Sequence, residues 1–137
     1  LTYCQGKSII NSINLEDGED KFEKICPLVR AYGAAVVVGT IDEDKLQAQA
    51  FSRERKLAVA QRSVELLTTK YGIPVEDIII DPLVFPCATG DTNYIGGAVE
   101  TIEALRLIKQ NIPHVKTALG VSNISFGLPA SAREVVN

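Results

Sequence analysis

The stretch AAVVVGT, Ala34–Thr40, decides how the rest of this chain is read. Its five leading residues are all apolar, three of them consecutive valines, so neither face of a strand built from them carries a polar side chain. A strand wetted on one side alternates apolar and polar residues, whereas an unbroken β-branched run marks a parallel strand covered on both faces. Parallel strands need crossover connections, so helices are expected on either side. Upstream, EDKFEKICPLVRAYG (Glu19–Gly33) carries Phe22, Ile25, Val29 and Tyr32 at helical spacing. Gly33 supplies the stop, and Pro27 inside the pattern predicts a kink or a late start. Before it, KSIIN is a short apolar strand ending at Asn11. Downstream, a long amphipathic helix places Leu57, Ala60, Val64, Leu67 and Tyr71 on one stripe and ends at YGIP. DIIID (Asp77–Asp81) is a third strand, and a third helix shows Ile95, Val99, Ile102, Leu105, Ile108 and Ile112. VKTALGVS reads as a fourth strand, and PASAREVV opens another helix.

Strands alternating with helices in this way demand an α/β fold with a parallel sheet and right-handed crossovers. The polar strand ends at Asn11, Thr40, Asp81 and Ser122 recur at the interval of a (β/α)8 barrel with loop insertions. A doubly wound sheet usually carries a glycine-rich phosphate turn after its first strand; here that turn reads NSINLEDGED, without GxGxxG. The expectation is a parallel TIM-barrel type fold, present as a partial barrel of about four β/α units, because a whole barrel needs about twice this length. Residues 1–137 are expected to form one domain. The chain begins at Leu1 without an initiator methionine, which suggests a segment cut from something longer.

Composition excludes several functions. The chain of 137 residues is 46% hydrophobic and 23% charged, the balance of a soluble globular protein. A net charge of -3 without a basic stripe gives no reason to expect nucleic acid. No apolar run approaches the roughly 20 residues of a membrane helix. Cys4, Cys26 and Cys87 are odd in number and scattered, without zinc-site spacing, so buried or semi-buried free thiols in a reducing cytoplasm are expected, and no metal. His114, in NIPHVK, reads as a surface-loop residue. Neither GxSxG nor a cysteine with an evident histidine base supports nucleophilic catalysis.

The informative polar residues fall where α/β folds bind ligands, at the C-terminal ends of their strands. They are Asn11 and Ser12, Asp42 and Glu43, Asp81, and finally Ser122, Asn123 and Ser125. Asp42 and Glu43 sit in the charged stretch IDEDKLQ and read as solvated charges. Asp81 follows three isoleucines and precedes Pro82, so its carboxylate leaves a dry strand and needs a partner. Structurally, Asp81 could tie down a loop amide, and the two asparagines could bond exposed backbone. Functionally, a carboxylate accepting two parallel N–H bonds beside two carboxamides suits a flat, donor-rich heterocycle.

Five segments in this order, GKSIINSIN, YGAAVVVGTIDE, PVEDIIIDPLVFPCATG, AVETIEALRLIK and GVSNISFGLP, closely resemble the pterin-binding domain of the cobalamin-dependent methionine synthase family. DPLVFPCATG together with GVSNISFGLP is specific, while the asparagine and aspartate positions alone also occur in the wider pterin-binding group. The resemblance implies a (β/α)8 barrel with folate at its C-terminal rim, and a methyltransferase that passes the N5-methyl group of 5-methyltetrahydrofolate to cob(I)alamin in methionine synthesis. It implies that Asn11 hydrogen-bonds the pterin, that Asp81 takes its N3–H and 2-amino edge, and that Asn123 stands near N5 as the catalytic group. Gly120 and Ser122 would line the same strand end. The family's earlier acidic contact would precede Leu1, so that this chain would hold roughly the fourth to seventh strands. Cobalamin would be carried by another module, of the same or another chain.

Two alternatives stay open. One is a folate-dependent methyltransferase acting on a separate corrinoid protein; a dihydropteroate synthase is disfavoured, because Asn123 stands where that family is expected to carry a lysine. The other is a truncated barrel fragment without activity, whose uncovered strand edges and apolar surface would be covered by dimerisation or aggregation.

Overall fold

A computed structural model describes residues 3–137. Strand β1 spans Ile9–Ile13, helix α1 Asp20–Tyr32, β2 Ala35–Gly39, α2 Arg53–Glu65, β3 Ile78–Asp81, α3 Gly97–Asn111, β4 Lys116–Thr117 and α4 Ala130–Val136. The sheet has the order β1-β2-β3-β4, with every neighbouring pair parallel. Sequence order and spatial order coincide, without the reversal that defines a doubly wound sheet. Successive strands laid side by side with a helix after each are the repeating unit of a (β/α)8 barrel. The partial-barrel expectation agrees with this architecture.

One sheet face and the helices share a single core. Val36 and Val38 from β2, and Ile78 and Ile80 from β3, pack with Phe22, Cys26 and Val29 of α1, Ala60 and Val64 of α2, and Ile108 of α3. The opposite face carries a small separate cluster of Ala35, Val37 and Ile79. A strand flanked in this way has apolar residues at every position, and all five residues of β2 are buried.

The helix boundaries follow from local chemistry. Gly33 ends α1 at φ 61°, and the amides of Gly33 and Ala34 return to the carbonyls of Arg30 and Val29, a glycine stop of the Schellman type. Of the two outcomes expected from Pro27, a kink or a late start, the late start does not occur: α1 already begins at Asp20 and continues through Pro27. At the other end of β2, Ser52 caps α2 by accepting the amide of Arg55. The continuation of α2 is a single π-helical turn, Leu66–Lys70, which carries Leu67 into the core.

Four expectations need correction. The β1 strand runs on to Ile13, so Asn11 lies within it and not at its end. The register slips between Asn11 and Ile13, which turns Ile13 into the helix-side core. Second, β4 stops at Thr117, and Val121–Asn123 forms a 3-10 turn where a continuous strand was expected. Third, the buried face of α3 is Gly97, Thr101, Ala104 and Ile108, whereas Ile95, Val99 and Ile102 are at least half exposed. Small residues are required there because α3 packs closely on its neighbours: a Cβ on Gly97 would lie 3.2 Å from the Phe51 ring. Fourth, Asp42 is not a free solvated charge, whereas Glu43 is exposed as expected and pairs at the surface. Asp42 accepts two bonds from the Arg55 guanidinium at 2.7 and 2.9 Å, and Glu43 takes a two-pronged pair from Arg62.

Candidate functional site

Asp81 ends β3 because three isoleucines before it bury the strand and Pro82 after it removes the next amide donor. Register fixes its direction. Gly39 of β2 faces Asp81, and Val37 faces both Asn11 and Ile79, so Asn11, Val37, Ile79 and Asp81 share the sheet face opposite the helices. Asp81 therefore stands at the C-terminal rim, with Asn11 on the same face two residues deeper along the strands.

Beyond Asp81 the chain is tied into a tight knot. The Leu83 amide donates to Asp81 Oδ1 at 2.9 Å. Leu83 itself has φ 61°, a backbone state that costs a non-glycine residue about 1–2 kcal/mol. Its carbonyl accepts from Thr101 Oγ1 at 2.9 Å and from Lys56 Nζ at 3.1 Å, and Lys56 also bonds the Pro82 carbonyl. Lys56 is fully buried, with its ammonium 5.0 Å from the Phe85 ring centroid. Burial pushes the Lys56 ammonium down to about 8, against the pull of Asp81 and Glu100. Burial likewise raises the Asp81 carboxyl above its ordinary range, opposed by the Leu83 amide and by Lys56.

The segments after β3 and β4 are stitched together. Both the amide and the Sγ of Cys87 approach the Ile124 carbonyl at 3.1 Å. The Arg133 guanidinium of α4 holds the following turn, donating to Ser125 Oγ at 3.1 Å and to the Ser122 carbonyl at 3.4 Å. Beside these ties lies an open cleft of about 290 Å³ lined by Asp81, Gly120 and Asn123, by Gln49, and by Phe85, Tyr94 and Phe126. Phe85 and Tyr94 are stacked, with centroids 5.1 Å apart and planes 8° from parallel. An acidic acceptor and a carboxamide at the rim, beside a packed aromatic cluster in which Phe85 is covered by Tyr94 on one side and by Lys56, suit a heterocycle with an N–H edge.

Three of the five residues singled out from sequence, Asp81, Gly120 and Asn123, thus meet in one cleft. Asn123 reaches it from the 3-10 turn and not from a strand end. Asn11 is exposed on the shared face but outside the lining. Ser122 is exposed and also outside it, contributing its backbone carbonyl to the Arg133 contact. A Cβ on Gly120 would lie 3.3 Å from Asn123 Nδ2, so glycine leaves the carboxamide its room. Lys56 was not anticipated, although it occupies an apolar-stripe position of α2, in step with Ala60, Ser63 and Leu67. Cys4, Cys26 and Cys87 are free; only Cys26 is buried, its thiol pushed up to about 11, and the other two are exposed, contrary to expectation. His114 is exposed, in a left-handed turn. Among the described residues no group of three His, Cys, Asp or Glu side chains is placed to hold a metal ion, and no helix is long and apolar enough to cross a membrane.

A barrel-type sheet with such a cleft at its C-terminal rim defines a small-molecule binding module of the α/β barrel class. The chain belongs to the pterin binding enzyme family, whose model matches residues 1–137. It is 46% identical over its whole length to the methionine synthase of Mycobacterium leprae (strain TN), and 44% identical to that of Mycobacterium tuberculosis (strain ATCC 25618 / H37Rv). The chain spans 11% and 12% of the length of these two curated relatives.

Proposed function

We propose that this chain is the module of a methyltransferase that binds 5-methyltetrahydrofolate and gives up its N5-methyl group to cob(I)alamin in methionine synthesis. The observation that carries the reading is the convergence of Asp81 and Asn123 on one cleft. Asp81 uses Oδ1 for the Leu83 amide, which leaves Oδ2 and a further lone pair for the pterin's N3–H and 2-amino group. Burial has already removed much of the water from that carboxylate, so a two-pronged donor restores what desolvation withheld. Asn11, on the same face below the cleft, is assigned a contact with the ring's inner edge, and Gly120 and Ser122 the shape of the rim.

In the transfer the methyl carbon passes to the acceptor's lone pair as its bond to N5 breaks; the electron pair of that bond returns to N5, and N5 takes up a proton. An amine leaves poorly unless positive charge builds on it, so N5 must be protonated or strongly hydrogen-bonded as the bond breaks. Asn123 serves that need with a neutral carboxamide whose bond strengthens in the transition state. Its exposed position allows water to deliver the proton. The acceptor, cob(I)alamin, supplies the nucleophile and is carried by another module; a cleft of about 290 Å³ suits a bicyclic ring and not a corrin, which would approach over the rim.

Isothermal titration of 5-methyltetrahydrofolate into the protein, followed by a methyl-transfer assay with cob(I)alamin, tests the proposal. Saturable binding is expected; transfer is expected of the longer enzyme that contains these residues, and none of the isolated fragment. Absence of binding overturns the folate assignment, and binding without transfer in the longer enzyme overturns the catalytic one.

A further inference from the structure

We propose that Lys56 is a positioning residue for this cleft, its buried ammonium clamping the segment after Asp81 so that the Asp81 carboxylate is held toward the ligand. The inference rests on the folate reading above. The geometry is specific. Lys56 is 0% exposed and bonds two successive carbonyls, of Pro82 and Leu83, while lying against the Phe85 ring. Leu83, between them, is held in the left-handed region, and its amide is the one that fixes Asp81. Lys56, Leu83 and Asp81 thus form a chain in which each holds the next. A buried cation satisfied by main-chain carbonyls, with its nearest carboxylate left without a direct bond to it, is costly to keep for packing alone. Two carbonyls turned toward α2 are a reason to keep it, because no apolar side chain could hold them there.

The charge is required for the clamp. Among the groups facing Lys56, Asp81 comes from β3 and Glu100 from α3, and Glu100 is held at about 2 by the Arg53 guanidinium of α2. Arg53 and Glu100 keep their charges between pH 7 and 9, so the proton lost near pH 8 is that of the Lys56 ammonium. Loss of that proton weakens both carbonyl bonds and the ring contact together.

The test is the affinity for 5-methyltetrahydrofolate of the wild type and of Lys56→Met, by titration calorimetry from pH 7 to pH 9. The wild type should weaken severalfold as pH rises through about 8. Lys56→Met should bind about tenfold less tightly at pH 7, the loss of one charge-assisted contact, and show no such pH dependence. A packing role would lower the melting temperature without tying affinity to pH. Wild-type affinity in Lys56→Met, or a flat wild-type profile, overturns the inference while leaving the folate reading intact. Should the variant fail to fold, the wild-type profile decides alone. Failure of the wild type to bind at any pH overturns both.

Discussion

Replacement of Asp81 by asparagine separates the two jobs of this side chain. Asparagine keeps an oxygen that can accept the Leu83 amide, the 2.9 Å bond that shapes the segment after β3. It puts an NH₂ where the second carboxylate oxygen stood, so a donor meets the donor edge of the pterin. One charge-assisted bond is lost, worth about 1.5–3 kcal/mol, and a second donor is left facing a donor. The expected cost is about 3 kcal/mol, or roughly a 150-fold rise in Kd. Substitution of the half-buried carboxyl, whose charged form is already disfavoured by burial, should leave folding almost unchanged. Titration calorimetry gives the affinity and thermal melting the stability. A Kd within threefold of wild type, with the melting temperature preserved, refutes Asp81 as the pterin's anchor. An equal collapse of stability and binding would show instead that it serves only the loop.

In the longer enzyme, Asn123→Ala should slow methyl transfer about a hundredfold while raising Kd by less than about tenfold, because its bond matters most as N5 gains charge; equal losses in both, by single-turnover kinetics and titration, would deny it the catalytic role. Gly120→Ala places a Cβ 3.3 Å from Asn123 Nδ2 and should reduce transfer by about tenfold through displacement of the carboxamide, with rates unchanged if the carboxamide is not used. Glu100, held at about 2 against an ordinary 4.5 by the Arg53 guanidinium that bonds it at 2.5 Å, contributes stability that is fully present above pH 4.5 and lost as pH falls through 2. Glu100→Gln should therefore melt earlier than wild type at neutral pH and converge with it in acid; a constant gap at all pH values would rule out the ion pair as the cause.

Much of the fold was legible because its two central strands are dry on both faces. Ala34–Thr40 and Ile78–Ile80 could not be mistaken for half-wetted strands, and Asp81 stood out as the polar residue that ends such a run. The helix α3 was legible in extent but not in orientation. A hydrophobic stripe points to Ile95, Val99 and Ile102, yet close packing selects the small side chains of Gly97, Thr101 and Ala104, and size is not part of a polarity pattern. Lys56 was hidden by the same habit: a cation counts as surface, even when two main-chain carbonyls satisfy it inside the protein. The turn that delivers Asn123 followed neither strand nor helix periodicity, so only its identity was readable.

The most direct measurement is a crystal structure of the protein with 5-methyltetrahydrofolate bound. The pterin should lie between Phe85 and Asn123, its N3–H and 2-amino group within about 2.7–3.2 Å of the Asp81 carboxylate and N5 turned toward the Asn123 carboxamide. A pterin bound elsewhere, or lying in this cleft with its donor edge away from Asp81, would contradict the account.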